Sequence, residues 1–386
     1  MKKLFYAFVL AGAALFTACD GGQTPMEDAT KLWPAGEDDS NLAGYIDAKG
    51  KLVIVANYSM AYAYSCGWAY VLDGTEPMFL DTKGKRAKSG SADRYDPFFY
   101  NNRVTFYDGK LCGKKDNSFN VIVRADYDAL GITSDNGYCW YKEEGESRFG
   151  YMDKDGKKVI AADFDLADNF ADGMAVVGVS KNDEMRYGVI NPKGDYIIDL
   201  GKKPLTNLGE GRIAYQNPTN NKIGMMDKSG NEIIDGYDAI NPFSCGLAWV
   251  MKNGKCGYID IKGNEAIDLR YATALPFYDN VAWVKKNSDA DARYELIDKK
   301  GESLFKLKEK EIPASVYHNG LCLIHNTEKD EYRYIDKQGE VVYSWEAKGA
   351  RPVGTLAPKR HDSADQGNRL MLGTEYGPLF MNRIEL

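Results

Sequence analysis

A chain of 386 residues that is 44% apolar, 12% aromatic and 27% charged has the make-up of a folded globular protein, with enough length for a large core or for many small units. Its 49 basic residues against 56 acidic ones give a net charge of −7, and no basic stripe concentrates the Lys and Arg, so nucleic acid is excluded as an expected partner. Only three histidines and no Cys-x-x-Cys pair are present, which leaves little for a metal centre.

The chain opens with Met1-Lys2-Lys3 and an apolar run from Leu4 to Phe16, the form of a secretory leader and too short for a mature membrane span. It ends in Leu15-Phe16-Thr17-Ala18-Cys19, which resembles a lipobox, with cleavage before Cys19 and lipidation of its sulfur. The expectation is a signal peptide over 1–18, a lipidated Cys19 with a polar tether over 19–30, and a repeat domain over 31–386. Loss of Lys2 and Lys3 with the leader takes the mature chain to −9.

From Gly44 onward one pattern recurs. Gly44-Tyr45-Ile46-Asp47, Met78-Phe79-Leu80-Asp81, Gly150-Tyr151-Met152-Asp153, Gly188-Val189-Ile190-Asn191, Gly224-Met225-Met226-Asp227, Gly257-Tyr258-Ile259-Asp260, Glu295-Leu296-Ile297-Asp298 and Arg333-Tyr334-Ile335-Asp336 each carry a Gly three residues after the final Asp or Asn. A degenerate copy, Gly113-Lys114-Lys115-Asp116, fills the gap, and the steps between anchors are 34, 35, 37, 38, 36, 33, 38 and 38 residues. A period near 36 means a repeat architecture of about nine units.

A second strand pattern runs in step, as in Gly67-Trp68-Ala69-Tyr70-Val71, Gly137-Tyr138-Cys139-Trp140-Tyr141 and Gly246-Leu247-Ala248-Trp249-Val250. In the seventh copy the two halves are joined by Asn253-Gly254, the residues that a type I′ hairpin turn demands. That turn sets Lys252 against Lys255, Met251 against Cys256, Trp249 against Tyr258 and Ala248 against Ile259. A Lys-x-Val-Ile strand and a short connection complete each unit, as in Lys157-Lys158-Val159-Ile160. The fold expected is all-β, a tandem array of three-to-four-strand antiparallel meanders. One meander cannot bury its faces alone, so units stack, and a β-propeller-like ring is favoured over an open β-superhelix because closure removes the end faces.

An aromatic, a Gly, a Leu-Ala-x-Val strand, a turn, Gly-Tyr-Ile-Asp and a further Gly together resemble the bacterial WG-repeat (KWG-type) lipoproteins, over roughly Leu32 to Asn382. The Trp that names the family is mostly replaced, by Cys112 and Cys256 for example. The resemblance implies an all-β repeat domain without a shared enzymatic activity.

Candidate chemistry is sparse. Cys66, Cys112, Cys139, Cys245, Cys256 and Cys322 fall at matched repeat positions and read as small core fillers, with a disulfide between adjacent units as the alternative. His318 and His325 fall on opposite faces of one strand, so they cannot share a metal. Asp153-x-Asp155-Gly156 lacks the downstream ligands of a calcium loop. Tyr70, Trp140, Trp249 and Trp283 hold one equivalent position, taken elsewhere by Thr105, Val176 or Ala214. They read either as inter-unit core or as an exposed binding track. Asp168, Asp172, Asp238 and Asp279 would matter only if they gathered at a ring mouth. The expectation is a non-enzymatic lipoprotein of the bacterial cell envelope, at the outer membrane, needing no cofactor and acting as a protein-interaction scaffold. Its alternative is a surface lipoprotein that binds carbohydrate.

Overall fold

The structure is a computed structural model that describes residues 30–38, 40–87, 94–289, 291–346 and 353–354. The leader, Cys19 and the tether up to residue 29 lie outside the described residues, as does the atypical segment after Gly354.

Every described element longer than a turn is a strand. Units 5 to 9 are four-stranded antiparallel meanders in chain order. Unit 7 is typical, with a first strand Ala239–Ile240, a second Leu247–Lys252, a third Lys255–Asp260 and an outer strand Glu265–Tyr271. Units 3 and 4 fuse into one seven-stranded sheet, because Val121–Leu130 serves as the outer strand of one and the first strand of the next. Among the described residues unit 1 supplies three strands, Trp33–Gly36, Ala43–Ile46 and Leu52–Tyr58. In unit 2, Val353–Gly354 returns from beyond the ninth unit to pair in parallel with Ala61 and Tyr62. The hairpin register is the one the Asn-Gly turn requires, from Lys252 opposite Lys255 to Ala248 opposite Ile259, with φ of 51° at Asn253 and 73° at Gly254.

Nine apolar cores hold these nine units together, and each core joins two successive units. One of them joins the last unit to the first: Leu321, Leu323, Tyr332, Tyr334 and Trp345 pack on Trp33, Ala35 and Ile46. Among the described residues the units therefore close into a ring, with the faces of units 9 and 1 packed on each other. One repeated joint accompanies the packing. The third-strand Tyr donates its buried hydroxyl to a carbonyl of the next unit: Tyr45 to Tyr62 at 2.7 Å, Tyr151 to Asp168 at 2.8 Å and Tyr258 to Leu275 at 2.7 Å. Tyr334 makes the same bond at the seam, to Pro34 at 2.8 Å. In the degenerate unit the equivalent residue is Lys114, whose Nζ reaches Gly131 O at 2.6 Å, so the substitution preserves the joint.

The Asp-x-x-Gly turns are all built alike. The Oδ1 of Asp260 accepts the amides of Lys262 at 2.8 Å and Asn264 at 2.9 Å, and Asn191 does the same for Lys193 and Asp195. Two amides on one carboxylate favour its charged form. The Lys51 and Lys49 amides hold Asp47 below its ordinary range, and the Asn231 side chain and amide do so for Asp227. At Asp116 and Asp260 burial pushes the carboxyl up, but bonds from Asn120 and Asn264 outweigh it.

The Gly of Gly-Tyr-Ile-Asp has a different cause. Its position is crossed by the backbone of the outer strand: a Cβ on Gly257 would stand 2.5 Å from Ile267 O, and one on Gly150 2.6 Å from Ile160 O. The carbonyl comes so close because the outer strand is bulged there, with Cys256 opposite Tyr271 but Tyr258 opposite Ile267. Units 1, 3, 4, 5, 6 and 7 carry the Gly and show two register shifts between third and outer strands. Units 8 and 9 replace it with Glu295 and Arg333 and show one.

Two predictions follow from these local causes. Gly257→Ala should lower stability by about 1–3 kcal/mol, the cost of overpacking, whereas Gly254→Ala, with open space around it, should lose only about 1 kcal/mol; urea unfolding distinguishes them. The depressed carboxyls contribute stability that is present above the unfolded-state value of about 3.9 and lost as pH falls through the folded-state values. Acid titration of the unfolding midpoint should show that loss, and Asp47→Asn with Asp227→Asn and Asp260→Asn should flatten it while keeping the acceptor that Asn191 already uses.

Candidate functional site

The four aromatic positions face the core toward the following unit. Trp140, 8% exposed, packs with unit 5 and meets Phe149 edge-on at 5.4 Å. Trp283, 2% exposed, stacks on Tyr317 of unit 9 at 6.0 Å. Trp249 and Tyr70 are half-buried, packed on the cores toward units 8 and 3, and burial pushes the Tyr70 hydroxyl up to about 12. Sequence equivalence therefore holds in space, but the rings are taken up by inter-unit packing and form no continuous outer track.

The four aspartates do not gather. Asp172 and Asp279 sit in the turns between first and second strands, where Asp172 accepts the Gly211 amide at 3.1 Å and Asp279 that of Gly320 at 2.6 Å. Glu210 makes the corresponding bond to Gly246 at 3.0 Å, so these carboxylates lace each turn to the next. Asp238 lies at the other end of its sheet, paired with Lys222 and accepting the Asn253 amide at 2.6 Å. Asp168 accepts the Asn169 amide at 2.8 Å. The carboxyl of Asp135, in another inner turn, is pushed up first by burial and then by the charge of Asp172.

Cys66, Cys112, Cys139, Cys256 and Cys322 are thiols, four of them buried. Burial raises Cys112 and Cys256 to about 11 and Cys322 to about 12, which leaves these three far from the thiolate needed for nucleophilic or redox work. Cys66 and Cys245 have positive φ in Ser-Cys-Gly turns that hold the next unit: Ser65 accepts the Phe99 amide at 2.9 Å and Ser244 donates to Phe277 O at 2.6 Å. His325 stacks on Tyr332 at 4.3 Å and meets Asp330 at 2.8 Å, while the carbonyl of His318 accepts the Trp33 indole at 3.0 Å; His361 lies outside the described residues. Among the described residues no group of His, Cys, Asp and Glu is arranged to hold a metal ion.

Two features escaped sequence reasoning. Buried charge collects where the repeat degenerates: Lys114 and Lys115 in unit 3, Glu295 in unit 8, and the Glu311–Arg333 pair in unit 9. The signal was available, since each of Lys114, Lys115, Glu295 and Arg333 breaks the Gly-Tyr-Ile-Asp pattern. The second is apolar exposure on the outer strands, with Val53, Val55, Val121, Ile197, Leu304 and Val341 all facing solvent. Among the described residues they lie on the outer strands of units 1, 3, 5, 8 and 9.

Comparison with known proteins places the chain as follows. Similar solved structures include Hsv2 of Kluyvelomyces marxianus, at 8% identity and TM-score 0.37 over 64% of this chain and 96% of that one. AztD of Citrobacter koseri is 12% identical, with TM-score 0.39 over 74% and 93%. Dipeptidyl peptidase 4 of Porphyromonas gingivalis is 11% identical, with TM-score 0.44 over 84% and 65%. No curated protein matches the chain. Four stretches, 44–74, 149–182, 223–256 and 257–288, match the family model of the WG containing repeat, each beginning in a third strand and reaching through the second strand of the following unit.

Proposed function

We propose that this chain is a non-enzymatic scaffold for protein partners, held at the bacterial cell envelope by a lipid on Cys19. The observation that supports it most is the rim. Outer strands carry solvent-facing Val, Ile and Leu, whereas the thiols, carboxylates and aromatics that chemistry or glycan stacking would use are engaged in holding units together. A ring whose interior groups are bonded to one another is stiff, and a stiff ring presents its rim in fixed geometry. Lipid on Cys19 with more than one acyl chain gives a stable anchor.

Two measurements test this reading. Growth with an alkyne fatty acid should label the protein, and Cys19→Ala should abolish both the label and sedimentation with membranes. The purified soluble protein should retain a reproducible protein partner from envelope extracts after polysaccharide is stripped. Retention of polysaccharide alone would reject the scaffold in favour of carbohydrate binding.

A further inference from the structure

The ring has two unlike faces. Each second strand begins beside the Asp-x-x-Gly turn of its own unit, since Ala248 pairs with Ile259 next to Asp260. The inner turns, between first and second strands, therefore share one face with the Asp-x-x-Gly turns, and hairpin turns such as Asn253-Gly254 form the other. The described chain enters on the first of these. Lys31 takes a left-handed φ of 47°, as Gly246 does in the inner turn of unit 7, and Trp33 pairs with Ile46 beside Asp47. The Trp33 indole is bonded to His318 O, in the inner turn of unit 9. Eleven residues separate Cys19 from Lys31, and a coil of that length reaches about 20 Å on average. That is no more than the height of one six-residue strand, roughly 20 Å, so a lipid on Cys19 holds the Asp-x-x-Gly face nearer the bilayer than the hairpin face.

Charge divides the same way. From the last residue of each second strand to the first of each third, the nine hairpins carry seventeen acids against ten bases. The nine Asp-x-x-Gly turns, each taken as five residues from its Asp or Asn, carry twelve of each. Orientation then separates the two signs on that face. The anchor carboxylates fold back onto amides of their own turns, as at Asp47, Asp81, Asp227 and Asp260. Asp172, Glu210 and Asp279 of the inner turns are bonded to amides of the next turn. Lys49, Lys83, Lys193, Lys228 and Lys262, by contrast, stand exposed at the turn tips. Their flexible stems carry the ammonium groups to phosphates beyond the turn, and anionic lipid attracts such groups within a Debye length of its surface. The acid-rich hairpin face is repelled by the same surface. We infer that the Asp-x-x-Gly face is the membrane-facing surface of the ring, its turn-tip lysines set against the phosphates of an anionic lipid leaflet. The hairpin face and the rim are then left open to partners. This deepens the lipid-anchor reading and rests on it.

The test places the full-length lipoprotein on vesicles of phosphatidylcholine with phosphatidylglycerol. A brief pulse of an impermeant amine-acylating reagent is then read residue by residue by mass spectrometry, against the Cys19→Ala protein in solution. Acylation of Lys49, Lys83, Lys193, Lys228 and Lys262 should fall roughly threefold or more, with the effect weakening as salt is raised. Lys110, Lys252 and Lys255 of the hairpins should react as they do in solution. Lys49→Glu with Lys83→Glu and Lys262→Glu should remove the protection of Lys193 and Lys228 without lowering the melting temperature. Protection of the hairpin lysines, equal reactivity of the two sets, or the same protection on phosphatidylcholine alone would overturn the assignment. A second form, held on nickel-chelating vesicles of the same lipids by a histidine tag ahead of Gln23, separates this inference from the anchor. If the native protein carries no lipid but the tagged form shows the pattern, the face stands and the anchor falls. If the lipid is present and the pattern is absent, the anchor stands and the face falls.

Discussion

Each meander here is two faces of apolar side chains with almost nothing between them and water, and only a neighbouring unit on either side can cover both. A unit of three or four short strands has marginal stability alone. The structure therefore depends on the inter-unit core, and the most informative instance is the one between units 9 and 1. There the chain joins ends that lie about three hundred residues apart in sequence with the same phenol-to-carbonyl bond used between sequence neighbours. Val353–Gly354, returning to unit 2, adds main-chain pairing across the same region. The loop-closure entropy of so long a span grows only slowly with length, so a joint of ordinary strength is enough to hold it.

The same dependence explains where polar groups went. Carboxylates in the inner turns accept amides from the next unit, Ser hydroxyls of the Ser-Cys-Gly turns grip the next aromatic's backbone, and Tyr hydroxyls cap carbonyls one unit along. Groups that elsewhere make an active site are here oriented by one another around the ring.

Much of this was legible in the sequence. The Asp-x-x-Gly spacing gave unit number and turn chemistry, and Asn253-Gly254 fixed a hairpin register that the structure reproduces residue by residue. Ring closure was legible only as a preference, because a single sequence shows that end faces must be covered and not which residues meet; nothing in Trp33 or Tyr334 announces the other. The fate of Trp140 and Trp283 was equally hidden. Large and small apolar residues interchange at that position, and interchange is what both a tolerant core and an optional binding track would show. The Gly of Gly-Tyr-Ile-Asp reads as part of a strand pattern without a cause of its own. Its cause is a carbonyl from the next strand, a contact between positions about ten residues apart that no local pattern encodes.

That carbonyl connects packing to surface. Where Gly is kept, the outer strand bulges, and a bulged edge resists pairing with further chains even when Val and Ile face solvent, as at Val53 and Ile197. A ring of nine meanders would otherwise expose many parallel opportunities for edge-to-edge aggregation, so a bulge repeated in six units protects the rim through its backbone and leaves its side chains unconstrained. Where the Gly is replaced, by Glu295 or Arg333, one of the two register shifts is lost and one remains. In a repeat protein, degeneration of the motif in one unit is thus a physical means of making that unit different at the surface.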